Sequence, residues 1–337
     1  MYVLSISKCR ALGLLAAASL AIATQPAFAQ SKSPADVTIA LSSASFSIGS
    51  LRLADQAGFY AENNIKPNFV VMDSGNAAAA ALLSNSAQFA ASGVSTALAA
   101  RGRGQPIVCA ANIYKGLSAS LILAKAVADK TGVSPTAPVE QRLRALEGLT
   151  IAVPSATSSF TVPVKQSAEK MGINVKFAYM AQPAMAAALE TGAIQGMMAG
   201  PTNFVPVIMK GGGVLWIDGP SGQFPKDVVP ASSSCLQTTE SYAKANPEVV
   251  KGMVQALQQT ADLIKKDPDK AKSLIAKAFP KMQPDLLNEA FKVEAVAWTD
   301  ISLTAEDVKH EIALLKAMGS ATPALEKLDP ASILIKP

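Results

Sequence analysis

Asp36-Val-Thr-Ile-Ala-Leu-Ser-Ser-Ala-Ser45 carries a strand that turns through serines toward a helix, the unit from which this chain is built. Val37, Ile39, Ala40 and Leu41 make an apolar run of strand length that breaks into a serine-rich turn. Beyond the turn Ile48, Leu51, Leu53, Ala54 and Ala57 recur at helical spacing, predicting a helix over 47–61 that ends near Gly58-Phe59-Tyr60. Four further turns of the same kind follow: Asp73-Ser74-Gly75-Asn76, Ser92-Gly93-Val94-Ser95-Thr96, Ser155-Ala156-Thr157-Ser158-Ser159 and Gly200-Pro201-Thr202-Asn203. A helix start leaves backbone N–H groups unpaired and carries partial positive charge. Several such starts around one cleft would hold a small polar or anionic molecule without chemical conversion.

The pattern continues in both directions. Strands are expected at Ile65–Met72, Ala87–Ala91 and Pro106–Asn112, with helices at 76–84 and 94–102 between them. After Asn112-Ile-Tyr-Lys-Gly116 the cycle restarts with strands at Ser118–Lys125, Leu149–Val153, Val175–Met180, Ile194–Ala199 and Val214–Ile217. Helices over 158–171, 183–191 and 202–209 separate these strands, and Thr131–Glu140 reads as a surface loop. Strands alternating with helices imply α/β architecture with doubly wound, parallel sheets. Asp218-Gly-Pro-Ser-Gly222 reads as a return linker, and Val228–Leu236 as a strand rejoining the first sheet. The remainder is helical, over 239–245, 247–265, 268–278, 284–296 and 304–318. The expected organisation is a leader over 1–29, a discontinuous first lobe over 30–116 and 221–337, and a second lobe over 117–220. A chain that leaves a lobe and returns to it makes a two-strand hinge, and such lobes close by hinge bending.

The leader reading rests on Lys8 and Arg10, the apolar run Ala11–Ala23, and the small-x-small site Ala27-Phe28-Ala29. Cys9 precedes the apolar run, so it is not placed for lipid attachment. Removal after Ala29 implies an exported, periplasmic protein of about 308 residues, a size that suits two domains and a monomer. The formal net charge of +5 falls to about +3 without Lys8 and Arg10. No basic cluster interleaves with aromatics, which excludes a nucleic-acid partner. Cys109 and Cys235 lie in apolar strand-like segments and read as two buried thiols, with a disulfide as the alternative that export permits. Two cysteines and the single histidine, His310, do not make a spaced metal-ligand set, and no cofactor is implied.

Five segments resemble the substrate-binding proteins of ABC importers in the group that takes sulfonates, nitrate, taurine and thiamine-precursor-like solutes. They are Leu53-Ala-Asp-Gln-Ala-Gly-Phe-Tyr-Ala-Glu-Asn-Asn-Ile65, Ser74-Gly-Asn-Ala-Ala-Ala-Ala-Ala-Leu82, Gln88-Phe-Ala-Ala-Ser-Gly-Val-Ser95, Leu146-Glu-Gly-Leu-Thr-Ile-Ala-Val-Pro154 and Met185-Ala-Ala-Ala-Leu-Glu-Thr-Gly-Ala-Ile-Gln195. The resemblance spans 36–218 in order and spacing, and more loosely the helical tail. It implies a type II periplasmic binding fold of two doubly wound lobes with a helical tail. It also implies a small-molecule solute, and permease and ATPase subunits as partners. Gln88, Gln195 and Gly200-Pro201-Thr202 depart from the family pattern, which often has acidic residues at the first two places. The missing carboxylates favour an anion or a neutral polar solute.

Ligands of open α/β sheets bind beyond the carboxyl ends of the strands. That rule selects Ser43, Ser45 and Phe46, then Ser74 and Asn76, then Ser92, Val94 and Ser95, then Tyr114 and Lys115 at the hinge. From the second lobe it selects Thr157, Ser158 and Phe160, then Thr202 and Asn203. Helix capping alone accounts for each serine or threonine as well as ligand contact does. Lys115 reads either as the partner of an anionic head group or as a solvated hinge lysine. Phe46 and Phe160 read as ligand-stacking rings or as core. Met185, Met197 and Met198 read as core, and Lys265-Lys266 as a solvated helix face. An enzyme of the thiamine-pyrimidine kind would use a histidine and a cysteine-rich iron motif; this chain has one histidine, His310 in the C-terminal helical region, and no cysteine cluster, nucleophile elbow or phosphate loop. A ligand-presenting sensor lobe would use the same capture chemistry as an importer component.

Overall fold

Side chains alternate along β1 (Ala35–Leu41): Val37, Ile39 and Leu41 enter one core and Ala40 the other. A strand with apolar residues on both faces needs cover on both, and the chain supplies it at once. Here the computed structural model describes residues 33–156 and 158–335; the expected leader and Thr157 lie outside the described residues. After β1 come α1 (Gly49–Gln56), α2 (Phe59–Glu62), β2 (Ile65–Val71), α3 (Gly75–Leu83), β3 (Phe89–Gly93), α4 (Val94–Gly102) and β4 (Ile107–Lys115). The helix expected over 47–61 is broken at Gly58, whose φ of +81° suits glycine and starts α2 on a new axis.

Beyond β4 the second lobe runs β5 (Ser120–Ala124), α5 (Lys125–Thr131), α6 (Val139–Arg144), β6 (Thr150–Val153), α7 (Val162–Met171) and β7 (Lys176–Tyr179). It continues with α8 (Gln182–Glu190), β8 (Gly196–Ala199), α9 (Pro201–Met209) and β9 (Gly213–Ile217). Its sheet is two-faced as well: Leu121, Leu123, Ile151, Val153 and Met198 enter one core, and Ile122, Ala152, Met197 and Ala199 the other. α5 fills the stretch between the strand end expected at Lys125 and the surface loop expected from Thr131. α7 starts four residues later than expected, because the turn before it folds on its own hydrogen bonds.

The chain then returns as β10 (Ser232–Thr239), followed by α10 (Glu240–Ala245), α11 (Pro247–Lys266), α12 (Pro268–Ala278), α13 (Pro284–Glu294), α14 (Ala305–Ala317) and α15 (Pro323–Glu326). Strand order is β2-β1-β3-β10-β4 in the first sheet and β7-β6-β8-β5-β9 in the second. Neither sheet is purely parallel. β10 is antiparallel to β3 and β4, and β5 is antiparallel to β8 and β9. Each is a strand that crosses into a lobe from the other one, so no helix reverses it. The strand expected at 228–236 is shifted, since a 3-10 turn occupies Lys226–Val228 and pairing begins at Ser232.

Cys109 on β4 and Cys235 on β10 form a disulfide across adjacent strands, with Cα atoms 5.9 Å apart. The thiol reading is therefore corrected: strand pairing brings together two residues 126 positions apart, which spacing in the sequence does not display. The helical tail is anchored by α11, whose Val250, Met253, Ala256 and Leu257 recur at helical spacing on the first sheet. α13 touches both lobes. Leu287, Ala290 and Phe291 pack with Phe46 and Trp298, whereas Leu286 and Val293 pack against the core that holds Phe204 of α9.

Two crossovers join the lobes, 116–119 outward and 218–231 on return. They lie side by side. The Gly116 N–H donates to the Ala231 carbonyl at 2.9 Å, and the Gly219 N–H donates to Ser120 Oγ at 3.2 Å. Contact is so close that a Cβ on Gly219 would stand 1.8 Å from the Ala119 carbonyl oxygen. Among the described residues no helix is long and apolar enough to cross a membrane.

Candidate functional site

The cleft is built where strand ends of both lobes turn into helix starts. β3 runs directly into α4, so Val94 anchors the helix in the core while Ser95 stands exposed beside it. The starts of α3 and α4 touch: a Cβ on Gly75 would lie 2.8 Å from Thr96 Oγ1 and 3.5 Å from the Ser92 Cβ. In the second lobe the turn after β6 is tied internally. Thr161 Oγ1 donates to the Ser155 carbonyl at 2.6 Å, and Ser158 Oγ accepts the Phe160 N–H at 3.2 Å. Ser159 is left exposed on that turn.

A cavity of about 310 Å³ opens there. Ser95 of α4, Ser118 of the outward crossover, Ser159, Ser232, Ser233, Ser320 and Glu311 of α14 line its polar side. Leu314, Leu315 and Met318 form an apolar wall. Both lobes and both crossovers thus contribute. A second hollow of about 490 Å³ lies wholly in the second lobe, where Lys125 and Asp129 at its rim pair with each other at 2.6 Å.

Among the described residues that line the cleft cavity, Glu311 is the one ionisable side chain. It is 4 % exposed, and its Oε1 accepts the Ser232 N–H at 3.3 Å. Burial raises its carboxyl to about 7, against the opposing bonds from the Ser232 and Ala231 N–H groups and the charge of His310. Lys115, at the end of β4, is already paired: its Nζ lies 3.1 Å from Asp307 and 3.8 Å from Asp300. Among the described residues no group of three or more His, Cys, Asp or Glu side chains is placed to hold a metal ion.

The residues selected from sequence fall into three sets. Ser95 lines the cavity, and Ser92, Ser158, Ser74 and Asn76 belong to the turns that surround or adjoin it. Ser74 caps α3 by accepting the Ala77 N–H, and the hydroxyl of buried Ser92 has no hydrogen-bond partner. A second set is engaged locally. Ser43 accepts the Ser45 N–H and Ser45 the Ser47 N–H. Thr202 and Asn203 begin α9, where Asn203 Nδ2 donates to Gln182 Oε1 at 3.2 Å. The third set is corrected. Phe46 is 2 % exposed and packs on Phe279 and Trp298, so its ring closes the core under the C-terminal helices. Tyr114 is fully buried, Val94 lies beneath α4, and Phe160 packs into the second lobe's core. Lys115 is not a freely solvated hinge lysine, because the C-terminal region brings the carboxylates of Asp307 and Asp300 to it.

Ser118, Ser159, Ser232, Ser233, Ser320 and Glu311 line the cavity without having been selected. Two signals for them exist in the sequence. Ser232-Ser-Ser234 opens the return strand, and Glu311 interrupts the apolar stripe Val308, Ile312, Leu315 on its helix. A carboxylate at a core-facing position is rare enough to mark a role.

Residues 46–271 match a family model described as NMT1/THI5 like. No curated protein matches the chain. Among solved structures, the periplasmic aliphatic sulphonate binding protein SsuA of Escherichia coli is 15% identical with a TM-score of 0.68, covering 90% of this chain and 98% of that one. The alkanesulfonate-binding protein SsuA of Xanthomonas axonopodis pv. citri, bound to MOPS, is 16% identical with a TM-score of 0.61 at the same coverage of 90% and 98%. The periplasmic nitrate-binding protein NrtA of Synechocystis PCC 6803 is 14% identical with a TM-score of 0.53, covering 75% of this chain and 69% of that one. At these identities the likeness is one of fold: two α/β lobes of the periplasmic binding protein kind.

Proposed function

The chain belongs to the NMT1/THI5-like family, and we propose that it is an exported solute-binding protein of an ABC importer. On this reading residues 30–116 with 221–337 and residues 117–220 act as two lobes of a monomer. They close on a small polar solute of the sulfonate, carboxylate or nitrate kind and hand it to the permease and ATPase subunits. The observation that carries the reading is the serine-lined cavity of about 310 Å³ walled by both lobes and both crossovers. Hydroxyls and the N–H groups of helix starts bind polar atoms and leave bonds intact. The candidate contacts are Ser92, Ser95 and Ser158 with the neighbouring Ser118, Ser159 and Ser233. The sulfonate and nitrate ligands in the names of the similar structures support the solute class. The leader pattern over 1–29 supports export. A structural role for the single histidine is supported by His310 Nε2, which donates to the Val229 carbonyl at 2.8 Å.

A thermal-shift screen of the chain without residues 1–29, against small sulfonates, carboxylates, nitrate and neutral polar solutes, tests the proposal. A true ligand at several hundred times its Kd stabilises by roughly 3–4 kcal/mol. Ser159→Trp, which fills the cavity from an exposed turn, should abolish that gain without lowering the ligand-free Tm. A ligand whose shift survives Ser159→Trp binds elsewhere, and a screen with no shift removes the proposal.

A further inference from the structure

The polar and charged groups at the cleft are of unequal kinds. Six serines line it, of which Ser232 and Ser233 already donate their hydroxyls to Asn112 Oδ1 and the Gly116 carbonyl, and no described lysine or arginine lines the cavity. The one ionisable group is Glu311, held against the return crossover by the Ser232 N–H. No described lysine or arginine lies within ion-pair distance of it. Lys115 is committed to Asp307 and Asp300, and Lys309 to Glu306 at 3.6 Å. Among the described residues the α14 end of the cleft therefore carries an acceptor with no lysine or arginine partner, next to Asp307 one turn earlier on the same helix, and the neighbouring His310 is tied to the Val229 carbonyl. Once Glu311 is ionised, above about pH 7, a solute group facing it that has only lone pairs opposes oxygen to oxygen in a desolvated site. A group with an N–H or O–H would complete the carboxylate's bonding, and a cationic N–H would also neutralise it. Leu314, Leu315 and Met318 beside it leave room for a short aliphatic body.

We infer that Glu311 sets the specificity of the cleft, favouring short solutes that carry a hydrogen-bond donor, an amine above all, over solutes that offer acceptors alone. The inference rests on the solute-binding reading and narrows it. The anionic end of such a solute lies toward the starts of α4 and α7, and its amine toward α14.

Calorimetric titration with matched pairs tests it: aminomethanesulfonate against methanesulfonate, and β-alanine against propionate. Each amine-bearing member should bind about tenfold tighter or more than its partner, the worth of one charge-assisted hydrogen bond. In Glu311→Gln, which keeps an acceptor for the Ser232 N–H, that ratio should fall below about threefold. Equal affinity within the wild-type pairs, or a preference that persists in Glu311→Gln, overturns the assignment while leaving solute binding intact. If no member of either pair binds, the inference fails. Solute binding fails with it only if the broader screen is also blank. Should the variant not fold, the wild-type ratios decide alone.

Discussion

The ammonium of Lys115, at the last residue of β4, stands 3.1 Å from the carboxylate of Asp307 in the first turn of α14. This pair ties the exit of the first lobe's edge strand to the helix that lines the cleft. Asp307 also closes a capping box with Thr304, so one carboxylate fixes both the helix start and the hinge lysine. Burial works against its ionisation, but the Thr304 N–H and hydroxyl together with Lys115 outweigh it and hold the carboxyl below its ordinary value.

Lys115→Met should therefore lower stability by about 1–2 kcal/mol, the worth of a half-buried pair. It should leave solute affinity nearly unchanged. Urea unfolding and calorimetry on the same variant separate the two effects. A tenfold loss of affinity at unchanged stability would return Lys115 to the ligand.

Glu294 makes stability depend on pH. Its carboxyl is buried beside the Tyr114 hydroxyl, and burial raises it from 4.5 to about 8; the hydroxyl opposes the shift and Asp218 adds to it. A carboxyl raised in the folded state binds more protons folded than unfolded between those values, so stability falls as pH rises from 4.5 to 8. The loss is on the order of 4–5 kcal/mol at the upper end. Glu294→Gln should remove most of the slope and raise the Tm at pH 8. A shallower decline up to about 7 should remain, owing to Glu311. An unchanged slope would place the titration elsewhere.

The Cys109–Cys235 bond closes a loop containing the entire second lobe. Cys109→Ser with Cys235→Ser should cost about 2–4 kcal/mol, mostly through the freed unfolded chain. Intact mass before and after reduction checks the bond in the protein lacking its leader, and thermal unfolding of the double variant checks its worth. Equal mass in both conditions would restore the two-thiol reading.

Gly219→Ala should be severe although glycine is exchanged only for alanine. The new methyl would meet the Ala119 carbonyl oxygen at 1.8 Å, and that backbone can move only if the crossovers separate. A loss of roughly 3 kcal/mol or more is expected, with faster amide exchange at Gly116 and Gly219. Wild-type stability in this variant would mean the crossovers are looser than their packing implies.

Local physics made much of this legible before any coordinates. The runs at 36–42 and 149–153, the helical spacing of Val250, Met253 and Leu257, and the prolines at 247, 268 and 284 each act within a few residues. Strand, helix and serine-rich turn follow from that range alone. Where partners lie far apart along the chain, the tertiary structure decided. It joined Cys109 to Cys235, gave Lys115 to Asp307, closed Phe46 under Trp298, and set Glu311 beside Ser232. It also reversed β5 and β10, since direction within a sheet depends on which lobe a strand enters from. A ring, a lysine or a thiol has no fixed role until folding chooses its neighbour. The sequence therefore determined the elements and the turns facing the cleft, and packing determined which side chains were left free to meet a solute.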